Sequence, residues 1–188
     1  MNTAAEACRA RPEPTLTGVI VPVGPAEAVV AEHRLRFDVA ASWGVPAHVT
    51  VLFPFVPPSQ VDDDVVARLA AVFAAAAPFD CRFDRCAWFG EDVLWLAPEP
   101  DQAFRDLTAA VVEQFPDHPP YGGVFDDVVP HLTVGESRRG TAGELRTVEV
   151  EVSRKLPVTA RIGHALLIAG TDGPGSWHTV ARLPLSAG

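Results

Sequence analysis

The stretch "VPAHVTVLFPF" at positions 45–55 decides how this chain is read. It is rich in valine and phenylalanine, the composition of a strand, yet it carries a histidine and a threonine two positions apart. In an extended strand residues i and i+2 share a face. His48 and Thr50 therefore project together, while Val49 and Val51 turn toward a core. The pattern returns at 129–135 as "VPHLTVG", where His131 pairs with Thr133 and Leu132 with Val134. Each stretch seats one polar pair on an otherwise apolar element.

Working outward, "LTGVIVPV" at 16–23 reads as a buried strand and 26–42 as one helix. After the His48 strand, "VPPSQ" is a stop, and 61–77 is a helix whose acidic first turn suits the helix dipole. Residues 79–89 and 92–98 read as a hairpin about Gly90 and Glu91. A helix over 101–115 places Phe104, Leu107, Val111 and Phe115 at helical spacing, and a long loop leads to His131. A helix is expected within 141–155, although "RTVEVEV" also alternates like a strand; 158–170 and 177–185 are the closing strands. The order strand, helix, His-x-Thr strand, helix, strand thus occurs twice. It implies two halves built alike, about 15–90 and 91–188, in one domain behind a disordered tail at 1–14. Short strands joined by hairpins favour an α+β architecture over a doubly wound one.

The chain has 188 residues, 48% of them hydrophobic, enough to bury a sizeable core. Its formal net charge of −9 argues against a protein that coats duplex DNA, which needs many cations to displace counterions. Cys8, Cys81 and Cys86 lack zinc-ligand spacing, and Cys81 and Cys86, five apart on a strand, are expected on opposite faces as reduced thiols. The N-terminal residues lack the apolar core of a signal peptide, and "AAVFAAAAPF" is too short to span a bilayer. A cytoplasmic monomer, away from membranes, is the expectation.

If the halves pack about a pseudo-two-fold axis, the two polar pairs face each other across a groove. Two opposed imidazoles suit in-line displacement at phosphorus, where attacking and leaving oxygens lie on opposite sides. An unperturbed pKa of about 6.5 lets one ring accept a proton while the other donates one. Threonine hydroxyls can donate to the non-bridging oxygens, where charge collects.

The paired "HVTV" and "HLTV" motifs, with flanks "VPAHVTVLFPF" and "FDDVVPHLTVG", resemble the 2H phosphoesterase superfamily, specifically its LigT-like, 2′-5′ RNA ligase branch. The similarity runs roughly from Leu16 to Leu185. It implies two pseudo-symmetric lobes, each a mostly antiparallel sheet with helices outside, flanking a central cleft. It also implies metal-independent opening of 2′,3′-cyclic phosphates, at RNA ends or on small nucleotides, to 2′-phosphates without a cofactor. Some relatives join RNA ends in reverse. By similarity His131 is the base and His48 the acid, although pseudo-symmetry makes the two easy to exchange. Many relatives follow the second motif with an arginine; here Gly135 and Glu136 stand there, and Arg138 and Arg139 are the nearby cations.

Outside the catalytic candidates His48, Thr50, His131 and Thr133, the loop residues Tyr121 and Phe125 are candidates to stack on a base. Trp88 is weighed as core. His33 reads as a solvated helix residue, His118, His164 and His178 as structural, and Asp62–Asp64 as a helix start rather than a metal site. Two rivals to an enzyme are a module of the same fold that binds RNA ends or nucleotides without turnover, and a structural domain whose cleft serves a protein partner.

Overall fold

A computed structural model describes residues 12–124 and 128–186. Phe125 and nearly all of the expected tail lie outside the described residues. The elements are β1 (Leu16–Pro22), α1 (Glu27–Phe37), α2 (Val39–Ser42), β2 (His48–Leu52), α3 (Asp63–Ala74), β3 (Phe79–Phe89), β4 (Val93–Glu99), α4 (Gln102–Gln114), β5 (Leu132–Glu136), α5 (Ala142–Ser153), β6 (Val158–Ile162), β7 (His164–Gly170) and β8 (His178–Pro184). They form two four-stranded sheets, ordered β2-β1-β7-β8 and β5-β4-β3-β6. Every strand pairing is antiparallel, and the architecture is α+β as expected.

The sheets do not follow the halves of the chain. β3 crosses into the sheet of β4 and β5, and β7 and β8 return to the sheet of β1 and β2. In each sheet a His-x-Thr strand occupies the edge, beside the strand that opens its half. The helices cross as well: α1 packs on β5, and α4 packs on β2. Thr108 of α4, itself buried, donates its hydroxyl to Val51 O at 3.1 Å, which satisfies a carbonyl of β2 from the other half. Phe73, Phe83, Phe104, Leu94, Leu132, Leu145 and Leu167 are fully buried in one continuous core that both sheets share. Each such side chain contributes about 1.5–3 kcal/mol by leaving water.

Four local expectations are corrected. The helix expected over 26–42 breaks at Asp38, which is extended (φ −118°, ψ 120°) and accepts from Ala40 N at 2.9 Å to start α2. The strand expected over 158–170 is two strands, divided at Gly163 and belonging to different sheets. Cys81 and Cys86 are not on opposite faces, because β3 bulges between Phe83 and Cys86 and reverses its alternation. Both cysteines are free and pack with the core. His33 is largely covered rather than solvated, with Nε2 3.7 Å from Glu151 Oε2 of α5. At 141–155 the helix wins over the alternating strand. Thr141 and Glu144 form a reciprocal capping box there, and Leu145, Val148 and Val152 are buried at helical spacing. Asp62 caps α3 by accepting from Val65 N at 2.9 Å, as the helix-start reading expects.

Gly135 marks the tightest crossing. A Cβ built there would stand 2.7 Å from Phe37 Cβ of α1 and 2.8 Å from Leu145 Cδ2 of α5. The residue after the second motif is thus fixed by helix packing, and no longer side chain fits at 135. Gly135→Ala is expected to lower stability by about 1–3 kcal/mol in urea unfolding, the range for overpacking a filled core. An unchanged midpoint would contradict the crossing.

Candidate active site at the paired histidines

The two motif strands share a local irregularity. On β2, Thr50 stands opposite Ile20 and Leu52 opposite Val19; on β5, Thr133 stands opposite Trp95 and Gly135 opposite Leu94. Each strand therefore carries one extra residue directly after its threonine. A bulge of this kind re-aims the side chains that follow it. The alternation restarts so that Phe53 and Glu136, each five residues after its histidine, follow the polar pairs.

Both imidazoles are anchored alike. His48 Nδ1 lies 2.6 Å from Pro46 O and His131 Nδ1 lies 2.7 Å from Val129 O. A carbonyl can only accept, so Nδ1 carries the hydrogen in each ring and Nε2 is left to react. β2 and β5 pack against each other, and each ring is only partly open to solvent. Burial drives the His48 pKa down to about 4. The Arg34 guanidinium pushes the same way; the Pro46 carbonyl and Asp38 oppose it, and His131 adds a smaller repulsion. Burial also lowers His131, against the Val129 carbonyl. Both rings are held neutral in the free protein at pH 7.

Tyr121 joins the two pairs. Its phenol hydrogen-bonds the Thr50 side chain, and its backbone N–H donates to Phe53 O at 2.8 Å. Its own backbone takes the left-handed conformation (φ 52°, ψ 30°), uncommon for a residue with a Cβ and held here by these bonds. The same ring lines a cavity of about 360 Å³ together with His131, Thr133, Phe89, Val93, Val128, Val129 and Glu136. Phe89 and Trp95 meet the His131 ring edge-on at 4.9 and 5.9 Å between centroids. Of the weaker candidates, Trp88 packs with the core beneath Arg146, whose guanidinium carbon is 4.0 Å from the ring centroid. His118 sits against Phe55, and His164 and His178 lie on the closing strands.

Sequence reasoning missed the supports of these strands. Arg34 and Asp38 form an ion pair (Nη2–Oδ2 2.8 Å), each 2% exposed, and Arg34 Nη2 also donates to Val45 O at 3.4 Å. Glu27 Oε1 accepts from Ala47 N at 2.6 Å. In the other half Arg105 pairs with Asp101 (2.8 Å) and donates to Val128 O at 3.0 Å. Val45 and Val128 each precede the motif histidine by three residues, so an arginine from the helix of each half fixes the approach to its imidazole. The signal was present in part. Arg34 lies four after Val30 and three before Phe37, on the buried stripe of α1, where a charge needs a partner.

Two antiparallel four-stranded sheets with helices, and a His-x-Thr strand at the edge of each, are the architecture of LigT-like 2H phosphoesterases. The family model of the 2′-5′ RNA ligase superfamily matches residues 21–174, and the chain belongs to that superfamily. Among solved structures, E. coli LigT complexed with 3′-AMP is similar at 16% identity, with a TM-score of 0.59 over 92% of this chain and 99% of that one. E. coli LigT complexed with NADP+ is also 16% identical, with a TM-score of 0.58 over 93% and 99%. TT0787 of Thermus thermophilus is 19% identical, with a TM-score of 0.59 over 90% and 97%. No curated protein sequence matches the chain. No helix among the described residues is long and apolar enough to cross a membrane.

Arg34→Met leaves Asp38 charged, buried and unpaired. It is expected to cost about 3–5 kcal/mol in chemical unfolding. Arg105→Met breaks a pair that is about a third exposed and is expected to cost less. Equal losses would show that burial does not separate the two supports.

Proposed function

We propose that the protein is a metal-independent phosphodiesterase that opens 2′,3′-cyclic phosphates of RNA ends or small nucleotides to 2′-phosphates. The observation that carries this is the matched pair of imidazoles, each with Nδ1 bonded to the carbonyl two residues before it. That bond leaves each Nε2 as the reactive nitrogen. His131 Nε2 takes a proton from water as the water oxygen bonds to phosphorus. The bond from phosphorus to O3′ breaks, and protonated His48 gives its proton to the departing oxygen. The Thr50 and Thr133 hydroxyls donate to the non-bridging oxygens. Tyr121, bonded to Thr50, fixes the hydroxyl on the His48 side. Small nucleotides as ligands are supported by the complexes of LigT with 3′-AMP and NADP+.

The lowered pKa of His48 has two consequences. In the free protein its acid form is scarce at pH 7, but when present it is a strong donor to an alkoxide. A bound phosphate anion opposes the burial penalty and raises both rings.

The test is turnover of 2′,3′-cyclic nucleotides in the presence of a chelator, with the product position read by phosphorus NMR. His48→Ala and His131→Ala are each expected to slow turnover by about 10²–10⁴-fold. Thr50→Val and Thr133→Val are each expected to cost about 10–10³-fold. Full activity in both histidine variants, or loss of wild-type activity with chelator, would end the proposal. The pH profile of kcat/KM reports the free enzyme, so its maximum is expected below about 6.5, where neither lowered pKa is far away. The profile of kcat reports the complex and is expected to peak at higher pH. A kcat/KM maximum at alkaline pH would contradict the site electrostatics.

A further inference from the structure

The bulge that follows Thr133 gives Glu136, not Gly135, to the wall of the cavity beside His131. The equivalent residue of the other half is Phe53, which packs near Trp177 at 6.1 Å between centroids. Two pseudo-equivalent positions therefore flank the paired histidines, one apolar and one acidic. Among the described residues that line the cavity, Glu136 is the one that carries a carboxylate. Its side chain is only 20% exposed and pairs with Arg138, whose own side chain is 66% exposed and outside the lining. The carboxylate thus belongs to the cavity wall, and the cation that partly offsets it stands outside that wall.

For a site that binds a phosphate this sign is informative. A cyclic phosphodiester carries one negative charge. The opened phosphomonoester gains a second ionisation with a pKa of about 6, so near neutral pH it carries close to two charges. A fixed carboxylate in a partly dehydrated cavity repels both, and the dianion about twice as strongly. We propose that Glu136 is the charge-selectivity residue of the site. It admits singly charged cyclic phosphodiesters, disfavours phosphate dianions, and so drives release of the ring-opened product. This rests on the phosphodiesterase reading for its substrate, but its physical content is binding selectivity between anions of different charge. It also implies that the cavity rejects RNA ends or nucleotides that place a terminal phosphomonoester beside His131.

The experiment compares wild type, Glu136→Gln and Glu136→Gln/Arg138→Gln by titration calorimetry at pH 5 and pH 7.5, with 2′-AMP and inorganic phosphate as probes. The 2′,3′-cyclic AMP KM and the inhibition constant of 2′-AMP are measured in parallel. At pH 7.5 Glu136→Gln is expected to tighten 2′-AMP by about tenfold and to lower the cyclic KM by only about threefold. At pH 5, where 2′-AMP is mostly singly charged, the gain is expected to shrink toward that of the cyclic substrate. The double variant separates loss of the carboxylate from release of Arg138. If it still binds 2′-AMP more tightly than wild type, the carboxylate is responsible; if it reverts fully, the inference is overturned. An equal gain for mono- and dianion, no gain, or no phosphate binding by any of the proteins would also overturn it. Charge-dependent binding without turnover would instead sustain Glu136 and sink the phosphodiesterase reading alone.

Discussion

Two edge strands that face each other without a shared ladder are the constraint on which this molecule is built. β2 and β5 end separate sheets, so no backbone hydrogen bond of either sheet ties one to the other. Beyond their own side-chain packing, they are held by the packing of helices from the opposite half, α4 on β2 and α1 on β5. The fit of Phe37 against Gly135 and the Thr108–Val51 hydrogen bond are its contact points. Without this crossing, each His-x-Thr pair would line a bare sheet edge. With it, the edges that most sheet proteins must hide are brought against each other, and the β5 edge lines a cavity.

Most of the candidate site's layout was legible because its code is short-range. The i, i+2 rule places a histidine and a threonine on one face wherever a strand forms, and both motifs lie within strongly apolar runs. The two-fold order of elements was legible for the same reason. What escaped depends on long-range partners. Alternation in β3, β2 and β5 resets at bulges that no local signal announces, which moved Cys86 and brought Glu136 to the cavity. Asp38 reads as helix until Arg34 and Ala40 N claim its carboxylate. Gly163 could continue a strand, and only the pull of two different sheets divides the segment there. By contrast, the contest at 141–155 had a local arbiter in the Thr141–Glu144 box.

The halves match in backbone and differ in charge. Both carry the same bulge, the same carbonyl anchor for the imidazole, and an arginine on the carbonyl three residues earlier. Yet the Arg34 pair is sealed whereas the Arg105 pair is partly wet, and a phenylalanine in one half answers a glutamate in the other. A burial difference of this size changes what a nearby imidazole feels, because an ion pair in the interior is less screened than one at the surface. Similar scaffolding thus yields two non-equivalent rings, the asymmetry that the proposed acid and base roles call for.

The absence of a ladder between β2 and β5 has a further consequence for how such a scaffold diversifies. The placement of each motif strand depends on side-chain volume where a helix meets it, as where Phe37 meets Gly135. Trimming or enlarging a buried ring such as Phe37 would widen or narrow the jaw while leaving its teeth unaltered. A change in girth between the two motifs therefore needs no change in either tetrapeptide.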